Sequence, residues 1–252
     1  MVKREPLRSE EYFDQTITFK RGVINRDKEA LAINPGQFVE PEIIAASVFK
    51  HHHNLFVAEY SRGYPLAELQ GAFSETVTSW EQLKAFDRDN VFAGIFKTDI
   101  DNYVRALWLL SQAYLLGIEP SVVMRLLACI GNEGEDLLFE RLVTAIVPEL
   151  LRKPAKKLLY PKPYQALYDA LDAPSEQRAT LIQEFLKQWY KRMNNTGWHD
   201  AHKAPKGGGF VGYWCWEAAG VAHAFGIDDS SFRDLPYYPK DLADFAHAAK
   251  LA

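Results

Sequence analysis

WHDAHKAPKGGGFVGYWCWEAAGVAHAFGIDDSSFRDLPYYPKDLADF, residues Trp198 to Phe245, is the stretch densest in unusual residues. It holds three of the six tryptophans, the run Gly207-Gly208-Gly209, a short aromatic-rich helix, an acidic turn and the element Pro236-Tyr237-Tyr238-Pro239. Two readings compete for it. One is a catalytic or metal site built on His199, His202 and the glycines. The other is a packed core motif that carries an acidic surface. Residues Tyr213 to Phe225 read as a helix whose small residues, Ala218, Ala219, Gly220 and Ala222, let neighbours approach closely. Its aromatics supply large buried area. Gly226 suits a left-handed C-cap, with Ile227 placed for the accompanying apolar contact. Asp228 and Asp229 can cap the next turn. The Pro-Tyr-Tyr-Pro element is a rigid bridge into a last helix, Lys240 to Lys250.

Outward from this stretch the chain reads as nearly all α. Residues 8–33 carry apolar side chains at helical spacing, and Asn34-Pro35-Gly36 stops the helix. A second helix follows Pro41 and ends at Gly63; it contains His51, His52 and His53. Further helices are expected over 65–80, 99–117, 119–130, 137–151, 164–171 and 174–194. Asp99 or Asp101 can cap the helix over 99–117, whose apolar residues cover most of its circumference and mark it as central. Between Arg152 and Lys162 the character changes, with five basic residues and a cluster of prolines. A boundary there divides the chain into an N-terminal helical half, 1–151, and a C-terminal helical half, 164–252, with a basic, Pro-containing linker at about 152–163. The expected fold is all-α, a bundle-like array with one helical half packed on the other.

Composition narrows the function classes. In 252 residues, 48% are hydrophobic and 25% charged, which is ordinary for a globular chain with a real core. A net charge of -4 argues against a nucleic-acid binder, which would present a basic surface. Positions 1–40 hold seven basic and seven acidic residues, a solvated face and not a nucleic-acid arm. Cys129 and Cys215 both sit in apolar runs and suggest no disulfide framework. No apolar run reaches the roughly 18 residues of a membrane span. The first residues lack a signal-peptide core, so the cytoplasm is the expected compartment.

The chemical candidates are weak. His51, His52 and His53 point about 100° apart on a helix and cannot all bind one ion. His199 and His202 lack the spacing partners of a metal motif. The glycine run precedes a helix but matches no phosphate-loop pattern. Cys215, between two tryptophans, reads as a buried inert thiol. Glu217, among aromatics, reads as the partner of a base or a tryptophan N–H.

The blocks WHDAHK, GYWCWEAA, GIDDSSFRD and YYPKDL, in that order, resemble the C-terminal domain of the PoNe-type nuclease immunity proteins (PoNi). SEEYFDQTI, EYSRGYPLAEL and YVRALWLLSQAYLLGI resemble the matching N-terminal domain, so the resemblance spans most of the chain. Two departures stand out. The glycine run is longer than the connector expected, and Lys240 stands where an aromatic is expected. The resemblance implies an all-helical immunity protein, not an enzyme, that binds and neutralises a cognate PoNe-type antibacterial DNase toxin delivered by type VI or related secretion. A DNase holds a basic groove for phosphate, and an inhibitor that fills it presents carboxylates. Two clusters are the expected contact residues: Glu133, Glu135 and Asp136, and Asp228, Asp229 and Asp234. No cofactor, metal, nucleic-acid or membrane partner is expected, and a homo-oligomer is left open. The alternative is a metal- or nucleotide-dependent hydrolase using His199, His202 and Glu217.

Overall fold

The computed structural model describes residues 2–33, 40–89, 94–204 and 209–251. Among them are ten α-helices and no strands: α1 (Glu10–Ile33), α2 (Pro41–Arg62), α3 (Leu66–Phe86), α4 (Ile100–Leu115), α5 (Pro120–Ile130), α6 (Leu137–Ile146), α7 (Pro161–Asp172), α8 (Ser175–Arg192), α9 (Trp216–Ala224) and α10 (Lys240–Leu251), with a short 3-10 turn at Ala201–Lys203. The all-α expectation holds. The stop at Asn34-Pro35-Gly36 and two glycines of the run, Gly207 and Gly208, lie outside the described residues. No described helix is long and apolar enough to cross a membrane.

The helices pack into two compact units that interleave along the chain, whereas the division expected from the sequence runs in chain order. The first unit takes residues up to Gly94, then 119–130 and 200–213. In it α1, α2, α3 and α5 pack in succession around fully buried Phe13, Phe56 and Phe73. The N-terminal segment is tied to the end of α2: the Arg4 and Glu5 amides both donate to the Ser61 carbonyl at 2.9 and 3.1 Å. Gly63 must be glycine for two reasons. Its φ is +102°, and a Cβ there would lie 2.0 Å from the Val2 carbonyl oxygen. Glu5 is buried and accepts the Tyr213 N–H at 3.0 Å.

The second unit holds 95–118, 131–199 and the chain from Trp214 onward. Helix α4 is its centre, as its apolar circumference predicts, and it packs against α6, α9 and α10. Asp99 caps it, accepting the Asp101 N–H at 2.8 Å. Gly220 lets α9 lie close on α4, since a Cβ there would meet the Ser111 hydroxyl at 2.4 Å. Several helix ends differ from the expected ones; α3 runs on to Phe86, past the expected stop at Trp80, and α7 starts at Pro161 instead of Tyr164. Helix α6 stops at Ile146, because Pro148 disfavours the helical region for Val147, which sits at φ −131° and ψ 71°. Helix α9 starts only at Trp216: 213–215 form no regular element, and the Cys215 N–H donates to the Tyr237 carbonyl at 2.8 Å. The basic segment 152–163 is pinned to the start of α6. The Leu137 N–H donates to the Lys157 carbonyl at 3.0 Å, and Arg152 and Glu140 form a partly buried ion pair at 2.7 Å.

Candidate partner-binding surface

The aromatic stretch that opens the sequence reading makes a buried floor. Glu217, in the first turn of α9, is fully buried. Its Oε1 accepts the Trp189 indole N–H at 2.8 Å and the Tyr164 hydroxyl at 3.2 Å, as a glutamate among aromatics should. Burial pushes its carboxyl up to about 7. Cys215 is buried beside it, and burial, with Glu217 next, drives the thiol far from ionisation. Gly226 takes the left-handed conformation (φ +61°), and the Ile227 N–H closes the cap on the Ala222 carbonyl at 2.8 Å.

Trp198 stacks on Trp189 at 5.4 Å and packs on Trp108 at 5.3 Å. Tyr237, held at φ +72° between two prolines, stacks on Tyr190, which stacks in turn on His199 at 4.4 Å. His199 is thus a packing group. In the other unit, the His202 Nδ1 lies 2.9 Å from the Tyr213 hydroxyl. Among the described residues no group of three His, Cys, Asp or Glu side chains is arranged to hold a metal ion. Gly209 (φ +88°) leads into a segment without regular secondary structure, and α9 begins at Trp216, not at the glycine run.

The six carboxylates expected at the surface divide into two kinds. Asp136 is fully buried. It caps α6 by accepting the Phe139 N–H at 2.9 Å, and it also accepts the Leu159 N–H at 2.7 Å and the Tyr103 hydroxyl at 2.9 Å. Burial still raises its carboxyl above the usual range. Asp229 is buried too, accepting from Arg233 at 3.1 Å and from the Tyr238 hydroxyl at 2.9 Å. The other four reach solvent. Glu133 is exposed and accepts the Lys153 N–H at 2.7 Å, and half-buried Glu135 pairs with Lys97 at 2.8 Å. Asp228 is exposed; it accepts the Ser230 hydroxyl and, at 3.1 Å, the Ser230 N–H, and these bonds, the hydroxyl first, hold its carboxyl below the usual range. Asp234 is exposed and pairs with Lys240 at 2.9 Å. Each cluster is therefore one inward anchor with two outward carboxylates.

The sequence reading missed Glu140 and Arg152. The available signal was a charge on the apolar stripe of α6, where Glu140 is buried with Leu138, Phe139, Leu142 and Val143.

Residues 4–128 match the family described as PoNe immunity protein (PoNi), N-terminal, and residues 134–242 match PoNe immunity proteins (PoNi), C-terminal. Among solved structures, the chain is similar to protein PA2201 from Pseudomonas aeruginosa. The TM-score is 0.75 and identity 20%, with 99% of this chain and 93% of that chain covered, a likeness of fold. No curated protein matches the chain.

Proposed function

This chain belongs to the PoNe immunity protein family, and on that premise we propose that it binds a cognate antibacterial DNase toxin in the cytoplasm and blocks it stoichiometrically. The observation that carries this reading is the pair of family matches, which together span residues 4–242 with a five-residue gap, 129–133. The protein acts by occupying the toxin and not by turning anything over. Delivery of that toxin by a type VI or related secretion system belongs to the same proposal.

The contact we propose is acidic. Glu133 and Glu135 project from the turn before α6, and Asp228 and Asp234 from the turns between α9 and α10. Asp136 and Asp229 hold those turns from inside. A DNase exposes cationic groups for phosphate, and outward carboxylates meet such groups with long-range attraction and fast association. Lys97 and Lys240, which now neutralise Glu135 and Asp234, exchange partners when the toxin's own cations arrive.

The test mixes purified protein with the nuclease encoded beside it and follows DNA degradation and complex formation together. A block complete at one equivalent supports the reading. Continued cleavage with no complex overturns it for that pair.

A further inference from the structure

In the first unit, the chain leading into α1 frames a groove that the immunity reading does not use. It is open to solvent, has a volume of about 770 Å³, and its lining includes Lys3, Pro6, Leu7, Arg8, Ser9 and Tyr12. Its aromatic wall is fixed. The Tyr12 hydroxyl donates to the Phe210 carbonyl at 2.7 Å, and the Tyr12 ring meets Phe13 edge-on at 5.4 Å. The Ser9 hydroxyl oxygen accepts the Tyr12 N–H at 3.2 Å, which leaves its own O–H to donate. Leu7, 46% exposed, and Pro6 add an apolar rim.

Two cations line this groove, and among the described residues neither forms an ion pair. Lys3 Nζ donates to the Arg8 carbonyl. The Arg8 guanidinium donates to the His202 carbonyl and lies 5.5 Å from the centre of the Tyr12 ring. Its Nε is buried without a hydrogen-bond partner. Other arginines of the same unit have acids: Arg21 pairs with Glu59, Arg62 with Asp14 and Arg125 with Glu81. The carboxylate that acts on Lys3 is Glu5, which is buried with both oxygens taken. Its Oε1 accepts the Leu7 N–H and its Oε2 the Tyr213 N–H, each at 3.0 Å. Lys3 and Arg8 thus rest on neutral carbonyls and keep donors to spare. An oxyanion would give them charge-assisted bonds, which are stronger than those a carbonyl accepts.

We propose that this groove binds a small organic oxyanion, a carboxylate or a phosphate monoester carried on an apolar or aromatic body. Lys3 and Arg8 take the charged end, and the Ser9 hydroxyl adds a neutral donor. Pro6, Leu7 and the Tyr12 ring cover the body. A few convergent polar groups on an apolar lining, at this volume, is the make-up of a small-molecule site. The inference is independent of the toxin, since it uses none of the carboxylates assigned to that contact.

The experiment titrates the full chain with benzoate and with phenyl phosphate at matched ionic strength. Benzyl alcohol is the control without charge, and inorganic phosphate the control without an apolar body. Calorimetry reads the affinity, and the Leu7 methyl and Tyr12 ring resonances read the place. Saturable binding with shifts at Leu7 and Tyr12 is expected for benzoate, phenyl phosphate or both, and the two arms separate the oxyanion classes. Both controls should bind at least about tenfold more weakly, as loss of a charged hydrogen bond or of a buried ring implies. Arg8→Gln should weaken the bound acid at least about tenfold. Lys3→Gln should weaken it too, and keeps the test available if Arg8→Gln does not fold. No saturation by either acid, equal affinity for either control, shifts that bypass Leu7 and Tyr12, or wild-type affinity in the folded variants overturns the site.

Discussion

The turns at 133–136 and 228–234 are built alike and balanced differently. In each, a buried aspartate accepts a tyrosine hydroxyl, Tyr103 for Asp136 and Tyr238 for Asp229. Around Asp136 the remaining donors are two backbone N–H groups, from Phe139 and Leu159. Around Asp229 the second side-chain donor is the guanidinium of Arg233, which also reaches Asp244. The first turn stands on neutral dipoles, the second on a counter-charge. Two similar acidic sequences therefore reach the surface from unlike foundations, and perturbing each foundation separates the cost to folding from the cost to binding.

The largest effect is expected at Asp136. Replacing it with alanine strands three buried donors, each worth about 1–3 kcal/mol when orphaned, and removes the cap of α6. A loss of about 4 kcal/mol in urea unfolding is expected for Asp136→Ala, with Asp136→Asn recovering part of it. A change below about 1 kcal/mol would mean that the turn does not depend on this aspartate.

Glu217 extends the same comparison, because it too is buried on neutral donors with no cation. Its folded pKa, about 7, lies above the ordinary 4.5. The folded state therefore holds the proton more tightly than the unfolded chain does. This contribution is complete below about pH 4.5 and is lost as pH rises toward 7. Stability should fall by up to about 3 kcal/mol across that window, and Glu217→Gln should flatten the slope. Unfolding at pH 5 and pH 7.5, read as the difference between wild type and variant, removes the contribution of the histidines. Parallel slopes would show that Glu217 does not titrate there.

Asp229 should be the milder anchor. Asp229→Ala leaves Tyr238 unpartnered but lets Arg233 keep Asp244, so a loss of about 2 kcal/mol is expected in the same assay. A cost equal to that of Asp136→Ala would erase the distinction between the two foundations.

Much of this architecture was readable from local pattern. The Asp99 cap, the Gly226–Ile227 C-cap, the central α4 and the pairing of Glu217 with a tryptophan N–H follow from short-range spacing and residue chemistry. Which acid of each cluster turns inward was not readable. Tyr103 lies 33 residues from Asp136, and only tertiary packing makes that carboxylate the capped and covered one. The contacts of the segment 152–163 were not readable for a related reason. Its composition is that of a solvated linker, yet what holds it is backbone amides and one arginine whose partner, Glu140, lies in a preceding helix. Lys20 and Asp27 could have been found. They continue the stripe of Phe13, Ile17 and Ile24 at helical spacing, and both are buried with it.

The smallest expected effect on folding is the sharpest test of binding. Glu133→Lys with Glu135→Lys reverses one outward pair, and Asp228→Lys with Asp234→Lys reverses the other. Each double variant also sets a new lysine beside an existing one, Lys97 or Lys240, so the two carry matched local repulsion. Neither touches its buried anchor, and the Tm of each should stay within a few degrees of wild type, as for other surface changes. Toxin association should slow, and Kd should rise at least about tenfold, in the variant whose turn meets the basic groove, with the defect shrinking as salt is added. If only the 133–135 variant responds, the turn built on neutral dipoles is the contact. If only the 228–234 variant responds, the counter-charged turn is. Unchanged affinity in both, with the fold intact, removes the acidic contact while leaving the immunity reading to stand on its family.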